Sequence, residues 1–156
     1  MLVSEPLPSI RHGRTVTRIA QVLANYVGPL RLGVVLTGDA GFVLARDPDT
    51  VRGPDVAFVS AKRANDIDSA RPFFPGAPDL AVEVVSPNDR PNEILGKVSD
   101  YLSAGCRMVW VVDPVVEAVR VFRTTFAPRS LAAADVLDGE DVLPGFALPV
   151  HELFAP

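Results

Sequence analysis

Residues 77–87 read APDLAVEVVSP. Leu80, Ala81, Val82, Val84 and Val85 form a nearly continuous apolar run, the pattern of a strand covered on both faces. Glu83 interrupts that run. A carboxylate buried without a partner is costly, so its position calls for a cation or for hydrogen-bond donors. Identifying that partner bears directly on function.

Three Pro-Asp dipeptides supply candidates: Pro48-Asp49, Pro54-Asp55 and Pro78-Asp79. Asp49 lies in a polar loop and reads as a turn residue. Asp79 opens the Glu83 strand, but at ~3.3 Å per residue it stands about 13 Å from Glu83, too far to share an ion. Asp55 opens a separate apolar segment, PDVAFVS (54–60). If the two strands pair, Asp55 and Glu83 become neighbours at the ~5 Å strand spacing. Two such carboxylates repel, and a hard cation relieves the conflict. Mg²⁺ takes one or two carboxylates together with water and phosphate oxygens, and in such a site it activates water against a phosphodiester. The plain alternative is a pair of protonated or ion-paired acids, with Arg107 or Arg52 as partner.

Downstream, Pro91 suits the first turn of a helix, with Asp89 as its cap. Ile94, Leu95, Val98, Tyr101 and Leu102 give the helix a buried stripe, and Gly105 closes it. Lys97 falls at the margin of that stripe, beside Tyr101 one turn later, so its ammonium can reach towards the sheet and steady an oxyanion. Its plain alternative is an exposed i, i+4 pair with Glu93.

Upstream, residues 1–10 read as an extended arm. A helix is expected from about Arg14 to Val27, ended by Gly28-Pro29. Arg11, Arg14 and Arg18 share a face near its start, either as a solvated side or as nucleic-acid contacts. LGVVLTG and GFVLAR read as a hairpin turning near Gly38-Asp39. Residues 61–76 form a polar connection in which Phe73-Phe74 covers the core. MVWVVDP and AVRVFR read as paired strands, and a short strand with a closing segment completes the chain. The order is that of one α/β domain, 1–156, with a central mixed sheet flanked by helices.

Composition sets limits. The 156 residues suffice for one core. No apolar run approaches the ~20 residues of a membrane span, and the first fourteen residues lack the apolar centre of a signal peptide. The single cysteine, Cys106, excludes an internal disulfide and a cysteine metal cage, and reads as a buried inert thiol. A cytoplasmic protein is expected. The net charge of −4 argues against gripping nucleic acid by bulk charge, though not against a local basic patch.

Taken in order, EPLPSIRHG, RGPDVAFVS, APDLAVEVVSP, Lys97 with Tyr101, AGCRMVWVVDP and VLPGFALPVHELF resemble the PD-(D/E)xK nuclease superfamily, and more narrowly its Uma-type restriction endonuclease family. The resemblance implies a restriction-endonuclease-like core and a Mg²⁺- or Mn²⁺-dependent nuclease acting on DNA. It places the metal-binding aspartate on Asp55 and the glutamate on Glu83, with the backbone carbonyl of Val84 or Val85 as a further ligand, and leaves Tyr101 and His12 as accessory residues. The superfamily's usual lysine position, two residues after the glutamate, is Val85 here; in this branch the lysine comes from the following helix, at Lys97. His12 also fits the family pattern, with packing at the helix start as its plain role. Relatives often carry a glutamate before a tyrosine-tryptophan pair in the late strand, where this chain has Met108 and Val109 before Trp110.

The leading reading is therefore a metal-dependent endodeoxyribonuclease using Asp55, Glu83 and Lys97, with a homodimer favoured if both strands are cut. The alternative is an inactive nuclease fold that binds nucleic acid or protein. A third is a purely structural homodimer joined through apolar hairpins.

Overall fold

A computed structural model describes residues 7–68 and 70–156. In chain order the elements are α1 (Ile10–Leu30), β1 (Gly33–Leu36), β2 (Phe42–Ala45), β3 (Thr50–Arg52), β4 (Val56–Ser60), α2 (Ala61–Ala64), β5 (Phe74–Pro75), β6 (Leu80–Val84), α3 (Pro91–Ser103), β7 (Met108–Asp113), β8 (Ala118–Phe122), β9 (Arg129–Leu131), β10 (Val136–Asp138) and β11 (Ala147–Pro149). A 3-10 turn, Val150–Leu153, follows.

The apolar run around Glu83 becomes β6, and every residue in it is buried. It lies inside a six-stranded sheet of order β1-β4-β6-β7-β8-β9. The sheet is mixed: β6 and β7 run parallel, and the other neighbours run antiparallel. Side chains alternate across it. Leu80, Val82 and Val84 join Ile19, Leu23 and Val27 of α1 and Trp110 of β7 in one core layer. Ala81, Val109 and Val111 face the other way, against Ile94, Val98 and Tyr101 of α3. Glu83, in step with Ala81, therefore faces α3.

The hairpin expected from LGVVLTG and GFVLAR does not form. β1 pairs with β4, while β2 pairs with β3 and β5 in a separate three-stranded sheet. The local turn signal is present, with Gly38 and Asp39 both at positive φ. The deciding factor is β4, whose first four residues are all buried. Such a strand needs neighbours on both edges, and β1 and β6 supply them. The close approach of β1 is set by Gly33, where a Cβ would collide with the Val59 carbonyl oxygen.

Both long helices differ in detail from expectation. α1 begins before Arg14 because Ser9 caps it, its Oγ accepting the His12 N–H at 3.0 Å. It runs through Pro29 to Leu30 and closes on Arg31 in the left-handed region. Of the extended arm expected at 1–10, residues 1–6 lie outside the described residues, and Ile10 is already helical. In α3, Pro91 takes the first turn as expected, but Arg90 occupies the cap position. Asp89 instead accepts the Ser86 N–H within the preceding turn. Leu95 is exposed, so the buried stripe is Ile94, Val98 and Tyr101. Gly105, at φ +100, ends the helix: its N–H reaches the Leu102 carbonyl and the Cys106 N–H reaches that of Tyr101.

Phe74 packs on Phe42 beneath the small sheet, whereas Phe73 is half exposed. The C-terminal segment forms a β10–β11 pair, and β9 adds a sheet-edge strand that the sequence pattern did not mark. No helix among the described residues is long and apolar enough to cross a membrane.

Candidate functional site

β4 and β6 pair antiparallel with Val56 opposite Val82. Continuing that register by one residue sets Asp55 opposite Glu83, at the end of the strands where the chain leaves β6 for α3. Asp55 Oδ2 accepts the backbone N–H of Val84 at 2.8 Å. In a strand, a residue's N–H and C=O point to the same edge, so the Val84 carbonyl also faces the Asp55 side.

α3 supplies the opposite wall. The Tyr101 hydroxyl donates to Glu83 Oε1 at 2.7 Å, and Lys97 Nζ stands 3.9 Å from Glu83 Oε2. The pairing of Lys97 with Glu93 does not occur among the described residues; one turn of helix aims the ammonium at the sheet. α1 supplies a third group: His12 Nε2 stands 3.4 Å from Asp55 Oδ2. Thus Asp55, Glu83, Lys97, Tyr101 and His12 converge from four elements or their ends.

The arginines considered as partners for these acids are engaged elsewhere. Arg52 binds Asp100 at 2.7 Å and Arg107 binds Asp141 at 3.2 Å. The other Pro-Asp acids separate as the sequence spacing implied. Asp79 is buried and accepts the Ser60 N–H and an Arg63 N–H, while Asp49 pairs with Arg46 at the surface. Cys106 is buried, its thiol pushed up to about 12 by desolvation. Burial as expected disfavours the reactive thiolate.

Burial, and then the Asp55 charge, raise the Glu83 pKa to about 7 against the lowering effects of Lys97 and the Tyr101 hydrogen bond. Asp55 is also raised, again chiefly by burial, with the Val84 N–H and His12 opposing. Two neighbouring carboxylates that desolvation penalises, Glu83 further by the charge of Asp55, have the donor chemistry of a hard-cation site. No group of three or more His, Cys, Asp or Glu side chains among the described residues is arranged to hold a metal. That donor set fits Mg²⁺ or Mn²⁺, which retain waters and need few protein ligands, and it does not fit a Zn²⁺ cage.

Arg11 and Arg14 are exposed, and with Arg18 they line an open groove between α1, the Pro114–Glu117 turn and the C-terminus. Arg18 is partly tied down, its Nε donating to the Glu152 carbonyl. These arginines do not join the Asp55–Glu83 cluster.

The family model for Uma2, described as "Putative restriction endonuclease", matches residues 1–151. The chain belongs to the Uma2 family. This Uma2 chain also shares its fold with a crystal structure of "a putative nuclease belonging to DUF820" from Anabaena variabilis ATCC 29413. The TM-score is 0.84 at 19% identity, covering 99% of this chain and 86% of the other. A comparison with curated proteins found no match.

Two contacts of this Uma2 member were not legible in the sequence. His12 fits the family pattern, but only the fold brings it to Asp55, because it arrives from the first turn of α1 around the end of the sheet. The Arg52–Asp100 ion pair joins β3 to α3 one residue before Tyr101. Nothing in local spacing links those segments.

Proposed function

We propose that this chain is an endodeoxyribonuclease that hydrolyses phosphodiester bonds with Mg²⁺ or Mn²⁺ held between Asp55 and Glu83. One observation carries the reading: the buried Glu83 and the partly buried Asp55 meet at the ends of adjacent central strands, where their charges repel, with Lys97 beside them and, among the described residues, no guanidinium paired with either. Family membership supports phosphodiester chemistry, as does the nuclease description of the Anabaena structure.

Asp55 and Glu83 would hold the ion, with the Val84 carbonyl completing the protein's share of its ligands. Bound there, it would supply Lewis-acid polarisation of a phosphoryl oxygen and a more acidic water. Lys97 is only one-third exposed and points across the site. It stabilises negative charge on the phosphoryl oxygens as the water oxygen bonds to phosphorus and the bond to the leaving oxygen breaks. Tyr101 holds Glu83 in place, and His12 steadies Asp55. The exposed Arg11 and Arg14, with Arg18, lie one, two and six residues from His12 along α1 and contact the DNA backbone. Cutting both strands calls for two sites, hence a homodimer.

The net charge of −4 favours a second reading, a nuclease fold that binds nucleic acid or protein without cutting. A cleavage assay on plasmid and single-stranded DNA with Mg²⁺ or Mn²⁺ separates the two. Cleavage by the natural chain that is lost in Asp55→Ala is the expected result. Salt-dependent DNA binding in chelator, with no cleavage when either metal is added, would favour the binding module.

A further inference from the structure

Ala57 and Val59 of β4 pack with Phe42 of β2 and Phe74 of β5, and Ala57 pairs with Ala81, which faces α3. The small sheet and α3 therefore sit side by side on one face of the central sheet, and Leu44 of β2 packs against both clusters. Asp55 and Glu83, in step with Ala57 and Ala81, stand at the seam between them. α1 covers the opposite face. Arg52, the last residue of β3, bridges this seam. Its Nε donates to Asp100 Oδ2 of α3 at 2.8 Å, and its Nη2 stands 2.7 Å from the same oxygen. Among the described residues, Arg52 Nη1 has no partner. Asp100 follows Lys97 by three residues, ~4.5 Å along the helix, so the anchored guanidinium and Lys97 occupy neighbouring positions on α3.

A partly exposed ion pair adds little stability, and the buried Ile94, Val98 and Tyr101 already seat α3. The pair instead holds a positive charge in one place. That charge reaches the site: burial raises the pKa of the Tyr101 hydroxyl most, Glu83 raises it next, and Arg52 opposes them. One carboxylate oxygen serves two of the guanidinium nitrogens, which leaves the edge carrying Nη1 open. Such a planar edge is the geometry with which arginine grips phosphate oxygens. We infer that Arg52 is a substrate-binding residue, which takes a DNA phosphate beside the scissile one in the seam between β3 and α3. The inference rests on the proposal that Asp55 and Glu83 form a phosphodiester site. It adds a phosphate contact on the face of the sheet opposite α1.

The test is binding of a labelled DNA duplex across a series of salt concentrations, read by fluorescence anisotropy in chelator so that nothing is cut. Arg52→Gln keeps a donor for Asp100 and removes the charge. It should weaken binding by about tenfold and flatten the slope of log affinity against log salt by about 0.9, the share of one phosphate. Asp100→Asn can still accept from the guanidinium but removes the negative charge beside the phosphate. It should keep the natural slope and bind more tightly. A pair that only joins β3 to α3 would make the two variants behave alike, with no change of slope. An unchanged slope in Arg52→Gln overturns the inference and leaves the cleavage reading to stand on metal-dependent cutting by the natural chain. A natural chain that cuts but shows no salt-dependent binding also overturns the inference alone, and one that neither binds nor cuts overturns both. Should Arg52→Gln fail to fold, Asp100→Asn decides: tighter binding supports the inference, and unchanged or weaker binding overturns it.

Discussion

Lys97 Nζ lies 3.9 Å from Glu83 Oε2, although the two belong to different elements and Glu93 is available to Lys97 at helical spacing. The lysine is held at the sheet end by α3, whose buried stripe of Ile94, Val98 and Tyr101 fixes the helix rotation.

If Lys97 acts on the reacting phosphate rather than on the ion, Lys97→Ala should retain the metal-induced rise in thermal midpoint and lose ~10²-fold or more in cleavage rate. Glu83 and Val85 lie on one face of the strand, and Val85 packs towards α3. Lys97→Ala combined with Val85→Lys should therefore recover part of the lost rate. Full cleavage by Lys97→Ala would assign the lysine to charge balance alone.

Without metal, stability should depend on pH through Glu83. Its folded pKa is raised from 4.5 to about 7, so the native state holds the proton more tightly than the unfolded chain. Below pH 4.5 both states are protonated and no penalty applies. As pH rises from 4.5 to about 7 the unfolded chain ionises first, and stability falls by up to on the order of 3 kcal/mol. In Glu83→Gln this decline should be largely absent. At pH 8 in chelator the variant should equal or exceed the natural chain by roughly 0–2 kcal/mol, because Gln still accepts the Tyr101 hydroxyl. Urea unfolding at a series of pH values measures it. A loss of several kcal/mol at pH 8 would mark Glu83 as an ion-pair anchor instead.

Asp79 should behave in the opposite way. It is buried and serves the Ser60 N–H and Arg63. Asp79→Ala strands those donors, and should cost about 2–3 kcal/mol in urea unfolding. The metal-induced thermal shift should persist in that variant. Its disappearance would mean that Asp79 shapes the metal site.

The sequence disclosed the grouping of Asp55, Glu83 and Lys97 better than the sheet. Glu83 was legible because it breaks an apolar run that must be buried, where a carboxylate needs a chemical reason, and Asp55 because it opens the apolar strand that pairs with that run. Lys97 was legible from helix periodicity. The partners of β1 and β2 were not. The Gly38-Asp39 turn is a local signal, whereas the choice of β4 as the partner of β1 depends on how many edges β4 must cover. His12 fits the family pattern, but its contact with Asp55 was hidden for a similar reason. That contact depends on where α1 starts, and Ser9 sets the start at Ile10, four residues before the expected Arg14.

The most direct measurement is a thermal-shift titration with Mg²⁺ and Mn²⁺ on the natural chain, Asp55→Ala and Glu83→Ala. A ligand that binds the native state alone raises its midpoint with concentration. The expected result is a saturable rise in the natural chain that vanishes in both variants. A full rise retained in both would contradict a metal site at Asp55 and Glu83.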